Sequence, residues 1–174
     1  TEKNGYYRIN TNGNIVQHIE MGTVNSIFED RNGNIWVASR KEGLYFIPPT
    51  GNMRQYVAYG NNENTLSHNN VRELCEDLDG NIWLSTYKGL DKLDVSANRF
   101  QHYNHIPILE SFMKPSITAM FCDRQGILWL GSFYDGVYHF CPAIDSYVYY
   151  LPAGVSYRGE ISPIINSIAE DPFG

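Results

Sequence analysis

Residues 76–94 read "EDLDGNIWLSTYKGLDKLD", an acidic turn, a tryptophan, a hydroxyl pair, a lysine and several carboxylates in quick succession. Such a stretch is either a piece of an active site or one copy of a unit that the chain repeats. Alignment on the tryptophan decides it. "VNSIFEDRNGNIWVASRKEGLYFI" from Val24, "VRELCEDLDGNIWLSTYKGLDKL" from Val71 and "ITAMFCDRQGILWLGSFYDGVYHF" from Ile117 follow one pattern, and "INSIAEDPFG" from Ile165 starts another copy. Trp36, Trp83 and Trp129 are spaced by 47 and 46 residues. Near the N-terminus, "GYYRINTNGNIVQHI" matches "GLYFIPPTGNMRQYV" from Gly43 and "GLDKLDVSANRFQHY" from Gly89, the tail of the same unit.

Each unit predicts four short strands. The first ("VNSIFE", "VRELCE", "ITAMFC") runs up to Asp30, Asp77 or Asp123, and a turn follows with Gly33, Gly80 or Gly126 at a position that tolerates positive φ. The second ("NIWVAS", "NIWLST", "ILWLGS") is rich in β-formers, with the tryptophan at a fixed place. Gly43, Gly89 and Gly136 lead to the third strand, and "TGN" at 50–52 or "SAN" at 96–98 to the fourth. No helical periodicity spans any segment. Four antiparallel strands in a unit of about 47 residues mark a β-propeller blade, which buries its faces only by stacking on neighbours. A β-sandwich is the competing all-β reading, but its strands do not recur with one tryptophan in fixed phase. The expected organisation is one propeller domain. Residues 1–23 form the second half of a blade, 24–70, 71–116 and 117–164 are blades, and 165–174 are the first strand of a truncated blade.

Composition agrees with a globular chain: 43% of the 174 residues are apolar and 14% aromatic. A formal net charge of -6, with cations scattered singly, argues against a nucleic-acid track or an anionic membrane face. Cys75, Cys122 and Cys141 show no C-x-x-C spacing and make no disulfide framework. No apolar run approaches the length of a membrane span, and no signal peptide opens the chain, whose start reads as a cut within a longer protein.

With the repeat in register, the chemical motifs dissolve. Ser85 and Lys88 spell the S-x-x-K of acyltransferases, but Ser85 aligns with Ala38 and Gly131 at a strand end, where only a small residue is required. "DLDGN" at 77–81 resembles part of a calcium loop but lacks the later oxygen ligands. Asp30, Asp77 and Asp123 are expected to close their turns by accepting backbone N–H bonds. His102 and His105 form H-x-x-H on an outer strand, where His102 reads as a surface histidine. No metal, cofactor or catalytic residue is expected.

The run I-x-E-D-x-x-G-N-I-W-[LV]-x-[ST]-x-x-G-L resembles the two-component regulator propeller repeat. Residues 27–44 carry it almost in full and 74–90 carry it with Leu74 for isoleucine. Residues 117–137 are looser, with Cys122 for the acidic residue and Gln125-Gly126-Ile127 for the usual Gly-Asn, and "SIAEDPFG" at 167–174 starts another copy. The resemblance implies a propeller, commonly seven-bladed, in the periplasmic sensor region of bacterial hybrid histidine kinase receptors. It implies further blades and a kinase in the parent chain, a homodimeric parent, oligosaccharide ligands and control of glycan-utilisation genes.

Strand order places the loops between second and third strands on one face with the long connections at 58–70, 105–116 and 151–164. Variable loops on a rigid scaffold are where binding is expected. Arg40, Tyr87, Lys88, Phe133, Tyr134 and Asp135 lie there, a mixture suited to stacking on sugar faces and bonding their hydroxyls. Three functions compete: a ligand-sensing module, a propeller-type glycan-active enzyme, and an interaction or dimerisation scaffold. An enzyme would need converging carboxylates, and Glu42, Glu63 and Asp135 stand isolated in sequence. At roughly 3.7 blades the chain is expected to be part of a larger propeller.

Overall fold

The computed structural model describes residues 5–60, 62–103, 117–133, 136–150 and 164–171, which form fourteen strands and no helix. β1 (Tyr6–Ile9) and β2 (Ile15–Ile19) make a two-stranded ribbon. β3 (Val24–Glu29), β4 (Ile35–Ser39), β5 (Leu44–Ile47) and β6 (Arg54–Tyr56) form the first four-stranded sheet. β7 (Val71–Glu76), β8 (Ile82–Thr86), β9 (Gly89–Asp94) and β10 (Arg99–Tyr103) form the second. β11 (Ile117–Cys122), β12 (Leu128–Ser132), β13 (Val137–Cys141) and β14 (Ser146–Tyr150) form the third. Each sheet runs in chain order with antiparallel neighbours. These are propeller blades, and they do not close into a ring.

The turn after each first strand is built by one carboxylate. Asp77 Oδ1 accepts from the backbone N–H of Asp79 at 3.0 Å and of Asn81 at 2.9 Å. Its Oδ2 accepts from Trp83 Nε1 at 2.9 Å. Asp30 repeats the arrangement with Asn32, Asn34 and Trp36, and Asp123 with Gln125, Ile127 and Trp129. Gly33, Gly80 and Gly126 take φ of 76°, 83° and 80° in these turns, a region that disfavours side chains. The aspartate thus orders the turn and fixes the indole at once. Gly43 has a second reason to lack a side chain, since a Cβ there would lie 2.1 Å from the Tyr56 carbonyl oxygen.

Blades stack through their first strands, with β7 lying against both β3 and β11. Trp36, Leu44, Leu74, Ile82, Leu84 and Leu93 close the interface of the first and second blades. Trp83, Leu90, Ile117, Leu128, Leu130 and Phe140 close that of the second and third. Trp36 and Trp83 are fully buried, whereas Trp129 is half-buried. No complete sheet stands beyond the third among the described residues.

A second device ties adjacent blades at the turn face. Arg31 Nε pairs with Glu76 Oε1 at 2.7 Å, and its backbone N–H donates to Oε2 at 2.9 Å. The Arg31 guanidinium also donates to the carbonyls of Asp77 and Leu78. Arg124 reaches Glu170 and the Asp171 carbonyl in the same way. Between these pairs, the second blade places Leu78 where Arg31 and Arg124 stand, and the third places Cys122 where Glu76 stands, so the ion pair is not repeated there. Because half of Arg31 is in solvent, Arg31→Ala is expected to cost at most about 1 kcal/mol. The loss should shrink in high salt, checked by urea unfolding at two ionic strengths.

Residues 164–171 form no strand ladder, unlike the first strand expected there. A first strand needs a second strand as partner, and none is present among the described residues. The segment nevertheless occupies the corresponding place. Ile165 N donates to the Ser132 carbonyl, and Thr118 Oγ1 to the Ile165 carbonyl, as Asn25 Nδ2 does to the Val71 carbonyl.

Candidate functional site

The second-to-third-strand loops share a face with the connections that enter each blade. Arg40 N donates to the Thr23 carbonyl and Tyr87 N to the Asn70 carbonyl. Hydroxyls at the strand ends shape these loops. Ser39 Oγ accepts from the N–H of Glu42 at 3.1 Å, and Thr86 Oγ1 from that of Lys88 at 3.1 Å. Arg40, Lys88 and Phe133 are exposed at equivalent corners of three successive blades. Tyr87 is half-buried, its ring 5.2 Å from that of His68. Burial first, and then the Lys88 charge, push the His68 imidazole below its usual range. Tyr134, Asp135 and His105 lie outside the described residues.

The first and second blades also fasten their incoming connections at one repeated node. In the first blade, Glu42 Oε2 accepts from Gly22 N at 3.0 Å and from Tyr45 Oη at 2.9 Å, while Gln55 Nε2 donates to Tyr45 Oη. Burial, then the Glu42 bond and charge, push the Tyr45 phenol up to about 12. In the second blade, Asp91 and His102 replace the facing pair Tyr45 and Gln55. Asp91 Oδ2 accepts from Ser67 N at 2.8 Å, and its Oδ1 lies 2.7 Å from His102 Nδ1. His102, expected as a surface histidine, is instead half-buried against a carboxylate that is only 1% exposed. The correction has a simple cause: facing positions on β9 and β10 put the two side chains on the same side of the sheet.

Ser67, His102 and Asp91 look like a catalytic triad, but their bonds assign other roles. The Ser67 hydroxyl pairs with Thr86 Oγ1 at 2.9 Å. The imidazole is shared between Asp91 and the Glu63 backbone carbonyl. None of these bonds joins the imidazole to the Ser67 hydroxyl, as a nucleophile and its base require. Ser85 is buried and accepts from Glu73 N at 3.0 Å, away from any base role for Lys88. Both oxygens of Asp77 are engaged in its turn, and among the described residues no cluster of three metal-ligating side chains occurs. Burial pushes the Cys75 thiol well above its ordinary range, helped by the neighbouring Cys122, Asp77 and Glu73, and the Cys122 thiol up to about 11. Neither is a ready thiolate.

Beside the node runs a groove of about 1020 Å³, lined by Asn62, Glu63, Ser67, Lys88, Lys92, Arg99 and His102 among others. Lys92 and Gln101 lie on one side of β9–β10, His102 and Phe100 on the other. The groove thus bends round a sheet edge, and its polar groups do not converge on one point.

Comparison with known proteins agrees with this architecture. The family described as "Two component regulator propeller" matches residues 20–41, 65–88 and 111–134. Among curated proteins nothing matches. Two solved extracellular domains of hybrid two component systems from B. thetaiotaomicron, BT3049 and BT4673, are similar to this chain in fold. They give TM-scores of 0.67 and 0.64 at 19% and 21% identity, each over 87% of this chain. The chain spans only 22% and 20% of their lengths. Virginiamycin B lyase from Staphylococcus aureus is similar too, with TM-score 0.64 at 14% identity over 84% of this chain and 48% of its own. The aspartate turn and the indole it holds fall within each of the three matched segments, and these segments carry the two component regulator propeller repeat.

Proposed function

We propose that this chain is a ligand-sensing propeller segment of a membrane-bound hybrid two-component sensor, lying on the periplasmic side of the inner membrane. The ligand is an oligosaccharide, and its capture regulates glycan-utilisation genes through a kinase in the same parent chain. The supporting observation is the triple family match on blades whose fold is also that of extracellular sensor domains. Within the segment, the equivalent corners at Arg40, Tyr87, Lys88 and Phe133, with Tyr134 and Asp135, supply stacking and hydrogen-bonding groups. The parent propeller is larger, commonly seven-bladed in this family, and the parent works as a homodimer.

A second reading is a glycan-active enzyme, since the blade fold also occurs in an enzyme. Against it, Glu42, Asp91 and His102 on the loop face are spent on holding connections. Titrating the intact parent with a panel of oligosaccharides, by calorimetry and with product analysis, separates the readings. Saturable binding without product supports a sensor. Product release establishes the enzyme, and absence of binding across the panel leaves an interaction scaffold.

A further inference from the structure

We propose that Asp91 and His102 form a protonation-gated latch, which holds residues 62–67 of the incoming connection against the second blade and so fixes the His68–Tyr87 corner. The geometry gives the latch its logic. Two acceptors, the Asp91 carboxylate and the Glu63 backbone carbonyl, face one imidazole ring. A neutral imidazole carries a single N–H and serves only one of them, whereas the imidazolium serves both. Loss of the proton leaves a ring lone pair facing one acceptor, and the connection loses a fastening. Ser67 N is held by the same buried carboxylate, and the ring of the next residue, His68, packs at a tilt against Tyr87.

The other nodes make the contrast. The first blade does the same work with Glu42, Tyr45 and Gln55, and the facing positions in the third blade are Tyr138 and Tyr149. Among the three four-stranded blades only the second places a histidine there, and only there does it face a carboxylate; in the β1–β2 ribbon the equivalent His18 faces Tyr7. The charged groups acting on His102 are Asp91 from β9 and Glu63 from the connection, with Lys88, Lys92, Asp94 and Arg99 along the same groove. The bond to Asp91 leads in raising the imidazole above its ordinary range, against burial, with the Asp91 and Glu63 charges and the Glu63 carbonyl adding to it. The sign follows: the latch is closed below the 6.5 of a free histidine and opens as pH rises through the higher folded value.

The test is amide hydrogen exchange on the whole chain from pH 6 to pH 9, corrected for intrinsic rates, with NMR titration of the His102 ring. Thr65 and Ser67 should lose protection by about tenfold, the factor of one pK unit, with a midpoint at the ring's own titration. Gly22, held by Glu42 in the histidine-free node, should not follow. His102→Gln imports the first blade's residue and should abolish the change while the fold persists. Constant protection in the native chain, equal loss at Gly22, or a ring titrating at or below its ordinary value would each overturn the latch, even if His102→Gln fails to fold. An unchanged pH response in a folded His102→Gln chain would do the same.

Discussion

Replacing Trp83 with alanine is expected to lower the unfolding free energy by about 3–5 kcal/mol. The side chain is fully buried where the second and third blades meet, with Tyr103 at 4.9 Å and Phe140 at 6.1 Å between ring centroids. It also places Lys92 over its ring at 5.3 Å and its indole N–H on Asp77. Truncation would open a cavity in an interface made of rigid strands, which have little room to collapse inward. Trp129→Ala provides the comparison, because its ring lies in the same turn geometry but is half-buried and stacks on His139 and Tyr150. Its cost should be clearly smaller. Urea denaturation followed by circular dichroism measures both, and equal losses would show that stacking of the next blade does not set the cost.

The fold was legible because the repeat carries its own controls. Three tryptophans in fixed phase, each preceded by an aspartate and a glycine, located the strands and turns without any knowledge of long-range contacts. The turn-closing task of Asp30, Asp77 and Asp123 could be reasoned from side-chain chemistry. Their second bond, to an indole six residues on, could not, since it depends on strand curvature bringing the ring back over the turn. The inter-blade Arg31–Glu76 pair was likewise hidden by a separation of 45 residues. Asp91 and His102 left a signal that went unread. Asp91 stands where its siblings are Tyr45 and Tyr138, and an acid in a tyrosine's place on a third strand predicts a buried partner. The loop residues Arg40, Tyr87, Lys88 and Phe133 were placed on one face by strand order alone. Nothing in a sequence without a ligand says which of them meet one.

The two faces of the blades follow different chemical rules. On the turn face the aspartate, glycine and tryptophan recur in all three blades, so the residues there are set by geometry. On the loop face the same fastening task is met by a glutamate with a tyrosine and a glutamine, or by an aspartate with a histidine. Structure tolerates those alternatives, which leaves that face open to specialisation in what it binds or senses.

Asp77→Ala should cost about 3 kcal/mol, from an orphaned buried indole N–H and two lost bonds to a charged acceptor. Asp77→Asn separates charge from shape. An asparagine oxygen can still accept the N–H groups of Asp79 and Asn81, but its amide cannot accept from Trp83 if that oxygen faces the turn. Asp77→Asn should therefore cost less than alanine, about 1–3 kcal/mol at neutral pH. The pH dependence gives the stricter check. Burial pushes the Asp77 carboxyl up, but bonds from Asn81 and Trp83, the Asn81 backbone N–H and the Lys92 charge hold it below its ordinary 3.8. A carboxyl lowered in the folded state contributes stability that is present above the unfolded value and lost as pH falls through the folded one. The gap between the native chain and Asp77→Asn should therefore be widest near neutrality and close as pH drops below about 4. Urea unfolding of both chains at pH 7, 4 and 3 measures that gap. A gap that stays constant down to pH 3 would mean that the ionised carboxylate is not what anchors the indole, and that the turn holds Trp83 by shape alone.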